Sequence, residues 1–490
     1  MPKPLLCVTV AAPTMAELRR RRDAVEEADL LELRLDSVSD PSVPGALEGR
    51  RRPVIVTCRP VWEGGAFSGP EEDRKRLLAE ALAQGAEYVD IEWRAHFDDL
   101  IAPSGGRRIV LSSHDFHGVP VDLVARVHAM RSTGAEVVKV AAAMTSLSDC
   151  IALLDLAEDG DRSSGLVLIG MGEYGLATRV LAGRFGSMWT YAGDLHEVGQ
   201  LTAATLIDHY RFRTIDETTA IYGLVGAPVA HSVSPAMHNA AFAAARLNAV
   251  YLPFPAIGAN DFVRFATALG VKGASVTVPF KVALFEDVNE VDAVARRVGA
   301  INTIRVTDGR WIGGNTDVSA FLEALRNRVP LANTRTAVLG AGGAARAVAV
   351  ALASSGGLVR IHARDRGRAE EVAALTSATA GPWPPEPGSW DLLVNCTPIG
   401  MHPRVDATPL PAAQLTGRYV YDLIYNPPVT RLLREAQTAG CHIIGGLEML
   451  VAQAHEQFQW WMNTRPQAGV MRDAALKRLA EFTGDEHHVV

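Results

Sequence analysis

Cysteine is scarce in this sequence. Five occur in 490 residues: Cys7, Cys58, Cys150, Cys396 and Cys441. Their number is odd, their spacing is wide, and no CxxC pair or Cys/His cluster is present, which argues against a disulfide framework and against a structural zinc site. An excess of one charge is also missing. There are 48 basic against 55 acidic residues, a net charge of −7, so nothing calls for nucleic acid or an anionic membrane as partner. No uninterrupted apolar run reaches the roughly 18 residues of a membrane span, and Met-Pro-Lys-Pro leads into a strand-like segment rather than a charged-then-apolar signal. No internal repeat stands out, which excludes a solenoid. The expectation is a metal-free protein of the reducing cytoplasm, with self-association left open.

What is present is ordinary globular composition, 48% apolar and 21% charged, in a chain long enough for two to four domains at roughly 100–200 residues each. Eight apolar, β-branched segments open it: Leu5–Ala11, Leu30–Asp36, Val54–Arg59, Tyr88–Trp93, Ile109–His114, Val137–Ala142, Leu166–Gly170 and Met188–Gly193. Most are separated by helix-like stretches, and this alternation predicts an α/β fold beginning with a compact (β/α)8 barrel of the TIM type. The sequence turns polar at Arg213–Thr219, and a new pattern starts at Ile221. Near 331 it takes the form of a dinucleotide-binding unit, with a surface loop at the Pro-rich Gly381–Gly388. Three domains are expected: residues 1–215; residues 220–325, joined by helices returning at about 450–490; and a Rossmann domain over 326–449.

Side chains alternate between the faces of a strand. In Leu31–Asp36 the leucines take one face and Glu32, Arg34 and Asp36 the other; Asp90 and Glu92 share a face; Lys139 lies opposite Val138 and Val140. Arg59 and His114 fall at or near strand ends. Taken singly, a strand lysine is more often snorkelling or salt-bridged than catalytic, and a lone histidine is more often structural. Clustered at the C-terminal rim of one barrel, these groups suggest chemistry, because burying so many charges is costly unless they pair or react. A desolvated lysine can attack a ketone to form an imine, a histidine can move the adjacent proton, and an arginine can hold a carboxylate.

Residues 4–210 resemble type I 3-dehydroquinate dehydratase. The likeness rests on Glu32-Leu-Arg-Leu-Asp36, Thr57-Cys-Arg59 with Glu63-Gly-Gly65, Asp90-Ile-Glu92, Ser112-Ser-His-Asp-Phe116, Val138–Ala141, Met171-Gly172 through Arg179, and Gly199-Gln200. The resemblance implies Lys139 as the Schiff-base lysine and His114 as general acid/base, oriented by Glu92. It implies Glu32, Arg34, Arg59, Arg179 and Gln200 as substrate ligands. His196 stands where the family usually has a serine, which makes it a weak further candidate.

In the second half, Thr336–Arg346 reads as a strand, a glycine-rich turn (Gly340, Ala341, Gly342, Gly343, Ala344) and a helix start, the arrangement that seats a pyrophosphate. The next strand ends at His362, before Arg364, Arg366 and Arg368. Arginines there accommodate a 2′-phosphate and favour NADP, although Asp365 supplies an acid too. Ser232 and Ser234 place hydroxyls ahead of a helix, where they suit a carboxylate, although Ser234 alone reads better as a cap. Lys281 and Asp317 could move a proton at an alcohol carbon beside a nicotinamide.

Residues 220–480 resemble shikimate dehydrogenase. Gly299–Thr303, Asn395–Met401, Tyr421–Pro427 and Gly446–Leu450 with Gln453-Ala carry the likeness. It implies Lys281 and Asp317 as the catalytic pair, a pocket of Ser232, Ser234, Thr277, Asn302, Tyr425 and Gln453, and NADP contacts at the glycine turn, Arg364, Arg368, Thr397, Met401 and Gly446. Together the two resemblances imply a fused enzyme of the shikimate pathway. It would dehydrate 3-dehydroquinate to 3-dehydroshikimate without a cofactor, then reduce that product to shikimate with NADPH. Another imine-forming barrel such as a class I aldolase, a preference for quinate, and a metabolite-sensing regulator remain as alternatives.

Overall fold

The structure, a computed structural model, describes residues 3–160 and 163–485. Eight parallel strands form the first sheet: β1 (Leu5–Ala11), β2 (Leu30–Arg34), β3 (Val54–Thr57), β4 (Tyr88–Glu92), β5 (Ile109–Asp115), β6 (Val137–Ala143), β7 (Gly165–Met171) and β8 (Trp189–Ala192). Their order, β7-β6-β5-β4-β3-β2-β1-β8, is that of a barrel. It is nearly closed by the bridge between Leu166 and Ser187, where the Met188 N–H donates to the Leu166 carbonyl at 2.8 Å. Every segment read as a strand is one. The ends differ by a residue or a few: Leu35–Ser37, Val61–Glu63 and Trp93–Ala95 turn into short 3₁₀ helices at the rim. These strands are buried on both faces, as parallel strands flanked by helices must be. The barrel interior is filled by Cys7, Leu30, Ile55, Val110, Val137, Ala141, Val167, Ile169, Trp189 and Tyr191, so Lys139 shares the inward face with Val137 and Ala141.

Two compact units make up the chain, Met1–Thr219 with Phe254–Gly270, and Ala220–Pro253 with Val271–Val490. Within the first, Asp261 accepts hydrogen bonds from the N–H groups of Leu147 and Ser148 at 3.2 and 2.8 Å and from the Ser148 hydroxyl at 2.7 Å.

A six-stranded sheet follows, comprising β9 (Ala220–Gly226), β10 (Ala249–Pro255), β11 (Gly273–Val276), β12 (Glu290–Val291), β13 (Thr303–Thr307) and β14 (Arg310–Gly314), in the order β10-β9-β11-β13-β14-β12. Strand β13 runs antiparallel to both of its neighbours. The last sheet has β15 (Arg335–Leu339), β16 (Leu358–His362), β17 (Thr379–Ala380), β18 (Leu392–Asn395), β19 (Tyr419–Asp422) and β20 (His442–Ile444), in the order β17-β16-β15-β18-β19-β20. All are parallel, and the order 3-2-1-4-5-6 is that of the dinucleotide-binding fold. The helices Leu447–Met462 and Val470–Asp485 share a core with helix Ser234–Ala244 through Phe242, Phe458, Trp461, Met471 and Ala475. Among the described residues, no helix is long and apolar enough to cross a membrane.

Candidate active sites

Lys139 projects from β6 into the barrel. Its Nζ lies 3.0 Å from Asp90 Oδ2, 3.5 Å from Glu32 Oε1 and 4.3 Å from the centre of the Tyr191 ring. The hydroxyls of Thr9 and Thr57 donate to Glu32 at 3.1 and 3.0 Å. Arg59 extends the array, bonding Asp90 at 2.9 Å, Glu92 at 2.6 Å and the Ser112 hydroxyl at 2.8 Å. Burial alone would raise the Asp90 carboxyl, but Arg59 and Lys139 outweigh it and hold it well below its usual range.

His114 stands at the rim end of β5. Its backbone N–H donates to Glu63 Oε1 at 2.8 Å, and its Nδ1 lies 3.1 Å from the same oxygen. This corrects the expectation that Glu92 orients His114. Both Glu92 oxygens are occupied elsewhere, one by Arg59 and one by Arg74. Glu92 is a fully buried counter-charge, whereas the histidine's partner comes from the short turn after β3. Burial, reinforced by Arg59 and Lys139, pushes the His114 imidazole well below 6.5, so it rests neutral with Nε2 left for a substrate. Burial raises the Glu63 carboxyl to about 7.

Around these groups is a cavity of about 130 Å³, lined by Glu32, Arg34, Arg59, Glu63, His114, Lys139, Arg179 and Gln200 among others. Arg34 is held by Asp36 at 2.9 and 2.7 Å. Arg179 is the unusual member. It is 2% exposed and donates to the Val198 carbonyl at 2.6 Å, while its Nε has no partner among the described residues. Burial lowers it to about 10. An unneutralised guanidinium at a cavity wall is a seat for an incoming carboxylate. Gln200 Nε2 donates to Thr9 at 3.3 Å, and its buried Oε1 is unpaired. His196 contacts the Gln200 carbonyl at 3.4 Å through Nδ1; its neighbour Glu197, rather than His196, lines the cavity.

In the second unit, Lys281 and Asp317 meet at 2.5 Å. Asp317 opens helix Asp317–Leu325, and its other oxygen accepts from Asn302 Nδ2 at 2.8 Å. The same amide reaches Thr316 at 2.9 Å and Gln453 Oε1 at 3.3 Å. Ser232 accepts from the Ser234 N–H at 3.2 Å, and Tyr425 stands half-buried nearby. Ser234 is not the helix cap. Val233 holds that position, and the first-turn N–H of Ser234 is taken by the Ser232 hydroxyl, which leaves the Ser234 hydroxyl for another partner. Thr277 stands just past the end of β11, with its N–H on the Val225 carbonyl at 2.9 Å.

The glycine turn fits a dinucleotide. Gly340 has φ +108, a conformation that side chains resist. Helix Gly343–Ser354 begins with no side-chain cap, so its first N–H groups can receive a pyrophosphate, and a Cβ at Gly342 would meet nothing. A Cβ at Gly343 would come within 2.8 Å of Lys281 Cβ, so this glycine lets the lysine approach the turn. Asp365 is engaged as a helix cap, accepting from the Arg368 N–H at 3.2 Å. Arg366 pairs with Glu370 at 2.9 Å, and Arg364 is exposed beyond β16. Thr397 is bound to Asn395 at 2.7 Å, and Met401 is exposed on the same loop. A Cβ at Gly446 would lie 2.2 Å from the Leu423 carbonyl.

Residues 6–217 match the family model described as type I 3-dehydroquinase. Residues 224–304 match the shikimate dehydrogenase substrate binding domain, and residues 446–476 the shikimate 5'-dehydrogenase C-terminal domain. A chloroplastic bifunctional 3-dehydroquinate dehydratase/shikimate dehydrogenase of Arabidopsis thaliana is 34% identical over 495 residues, covering 93% of this chain and 81% of that protein. The shikimate dehydrogenase (NADP(+)) of Symbiobacterium thermophilum is 44% identical over 277 residues, 53% of this chain and 94% of its own. A crystal structure of a shikimate dehydrogenase in complex with NADP+ superposes with a TM-score of 0.50 at 36% identity, over 54% of this chain and 97% of that one.

Proposed function

The chain belongs to the family of bifunctional 3-dehydroquinate dehydratases/shikimate dehydrogenases, and from that premise we infer which of its residues carry the two reactions. The first half dehydrates 3-dehydroquinate to 3-dehydroshikimate through a lysine Schiff base, and the second reduces 3-dehydroshikimate to shikimate with NADPH.

In our reading Lys139 Nζ attacks the substrate ketone, and loss of water gives a protonated imine between Asp90 and Glu32. His114 Nε2 takes the proton from the adjacent carbon, since the imine accepts the electron pair. The imidazolium, steadied by Glu63 at Nδ1, returns a proton to the departing hydroxyl, and hydrolysis frees Lys139. Arg179 receives the substrate carboxylate, with Arg34, Arg59 and Gln200 on the remaining polar groups. One observation carries this assignment: Lys139, His114 and the unneutralised Arg179 line one cavity. Borohydride added with substrate should fix an adduct on Lys139, and an undiminished dehydratase rate in Lys139→Ala would overturn the assignment.

For the reduction, Ser232, Ser234 and Thr277 would hold the substrate carboxylate, while Asn302, Gln453 and Tyr425 orient the ring. Lys281 and Asp317 would deliver the alkoxide proton. A bound nicotinamide supplies hydride. The glycine turn (Gly340–Ala344) would hold its pyrophosphate, Arg364 and Arg368 the 2′-phosphate, and Thr397, Met401 and Gly446 the nicotinamide side. Products formed from 3-dehydroquinate with and without NADPH test both halves together: shikimate with it, 3-dehydroshikimate without it. The domain limits that go with this reading are 1–215, 220–325 with the helices after about 450, and 326–449. Five free cysteines support a reducing, cytoplasmic setting, which cell fractionation would test.

A further inference from the structure

Gln457 lies one helical turn beyond Gln453 on helix Leu447–Met462, wholly buried, and none of the chemistry above uses it. Its surroundings determine which end of its amide points where. The backbone carbonyl of Asn302 is 3.0 Å from one end, and only an NH₂ can face a carbonyl, so that end is Nε2. Oε1 then faces Ser275, whose hydroxyl donates to it at 2.5 Å. With its proton so placed, Ser275 can only accept from the Tyr251 hydroxyl, 2.6 Å away. Burial raises the Tyr251 phenol far above its usual range, so it stays a donor.

The polarity of this chain runs one way, from Tyr251 through Ser275 to Gln457, and it continues into the site. The second N–H of Gln457 donates to Gln453 Oε1 at 2.7 Å; Asn302 Nδ2 lies 3.3 Å from the same oxygen, its two hydrogens directed at Asp317 and Thr316. The Gln457 donor occupies that oxygen, with the Asn302 NH₂ beside it, so the Gln453 NH₂ must face away from both. One of its N–H bonds goes to the Leu450 carbonyl at 3.1 Å, and the other is left to donate. Asn302 is fixed by the same contacts, with Nδ2 on Asp317 at 2.8 Å.

We propose that Gln457 is a positioning residue for the reduction, setting the amide of Gln453 so that it offers an N–H, not an oxygen, to a hydroxyl of the bound substrate. This rests on the reading of Gln453 and Asp317 as part of the reduction site. Without the Gln457 donor only the Leu450 carbonyl still holds the Gln453 amide, and a carboxylate in the donor's place turns that amide over, so that the substrate hydroxyl meets an acceptor with a different geometry.

The test uses the full chain. Gln457→Glu keeps the acceptor for Ser275 but removes both donors. It should raise the KM for shikimate by about 10- to 100-fold, the usual range for a mispaired buried polar contact. KM for NADP and the dehydratase rate should stay unchanged. As pH falls, the introduced carboxyl regains a proton it can donate, and the KM for shikimate should recover toward the wild-type value. Gln457→Leu, with nothing to protonate, should show the loss without that recovery. In a Gln453→Ala background, Gln457→Glu should add nothing further. An unchanged KM in Gln457→Glu overturns the proposal, as does a parallel rise for shikimate and NADP without recovery at low pH, or full additivity with Gln453→Ala. A wild-type KM in Gln453→Ala alone would instead sink the underlying reading of the site.

Discussion

Two buried glutamates, Glu63 and Glu92, could each be taken as the partner of His114, and their geometry assigns them opposite roles. Glu63→Gln keeps a carbonyl oxygen for the His114 N–H and Nδ1, now 2.8 and 3.1 Å from Oε1, but loses the charge that steadies the imidazolium. A charged partner is worth about 1–3 kcal/mol here, so kcat/KM for dehydration should fall about 10- to 100-fold. The pH profile is the sharper readout. With the Glu63 carboxyl raised from 4.5 to about 7 by burial, the wild-type rate should fall about tenfold per pH unit below 7 and level off above it. The variant should lack that limb. Stability moves the other way. A raised carboxyl binds its proton more tightly in the fold, so its effect on stability is full below pH 4.5 and lost as pH rises through 7. That loss amounts to at most about 3 kcal/mol, and Glu63→Gln should escape it. Denaturant unfolding at pH 5 and pH 8 should show wild type losing stability between them while the variant does not. In contrast, Glu92→Gln leaves Arg59 and Arg74 facing a neutral amide in a dry interior. That should cost about 3–5 kcal/mol of stability and keep the pH limb in whatever enzyme stays folded. Retention of the limb in Glu63→Gln with its loss in Glu92→Gln would refute this assignment.

Arg179→Ala should raise the KM for 3-dehydroquinate about 100-fold while lowering stability only by the lost packing and the Val198 contact, because among the described residues its guanidinium has no carboxylate partner to leave stranded. Steady-state kinetics and calorimetry on one preparation check both halves of that statement. Gly343→Ala puts a methyl 2.8 Å from Lys281 Cβ and should depress kcat for the reduction while the dehydratase rate is untouched. Arg364→Ala should raise the KM for NADPH and narrow the preference over NADH, whereas Arg366→Ala should change little, since Arg366 is exposed and paired with Glu370.

The barrel was legible because parallel strands announce themselves as short apolar runs, and strand alternation correctly turned Lys139, Asp90 and Glu92 inward. Alternation fixes a face, not a partner. Glu92 and Glu63 are both inward acids near a rim, and only the path of the Val61–Glu63 turn brings the second one to His114. The Glu63-Gly-Gly65 motif held a local clue. A Cβ at Gly64 would fall 2.3 Å from the Phe116 ring, so this turn must lie against the His114 loop. In the sequence Asp365 reads only as an acid competing with the arginines for the ribose, since a ribose ligand and a cap both put an acid at a helix start; its bond to the Arg368 N–H shows the cap. Gln457 had a signal in its spacing, four residues after Gln453 on one helix face, but its amide direction depends on the carbonyl of Asn302, far away in sequence.

The charges in the barrel form an alternating series, Glu71–Arg74–Glu92–Arg59–Asp90–Lys139–Glu32, with each neighbour pair in contact. Such a series is costly to bury and gives little net stability compared with a well-packed apolar core. Its use is apparent from the charge Lys139 must carry through the reaction. The nitrogen has to offer a lone pair only for the first attack; once the carbinolamine collapses it is an iminium, again positive and in the same place. Asp90 and Glu32, 3.0 and 3.5 Å away, therefore meet the intermediate with little rearrangement. Arg59 keeps Asp90 ionised, and Arg59 and Arg74 together fix Glu92, while that happens. A barrel that neutralised Lys139 by apolar burial alone would favour the attack but oppose the iminium that acidifies the neighbouring C–H. The alternating ladder favours the step that follows attack, and this explains why removing an outer member such as Glu92 should damage the fold more than the chemistry.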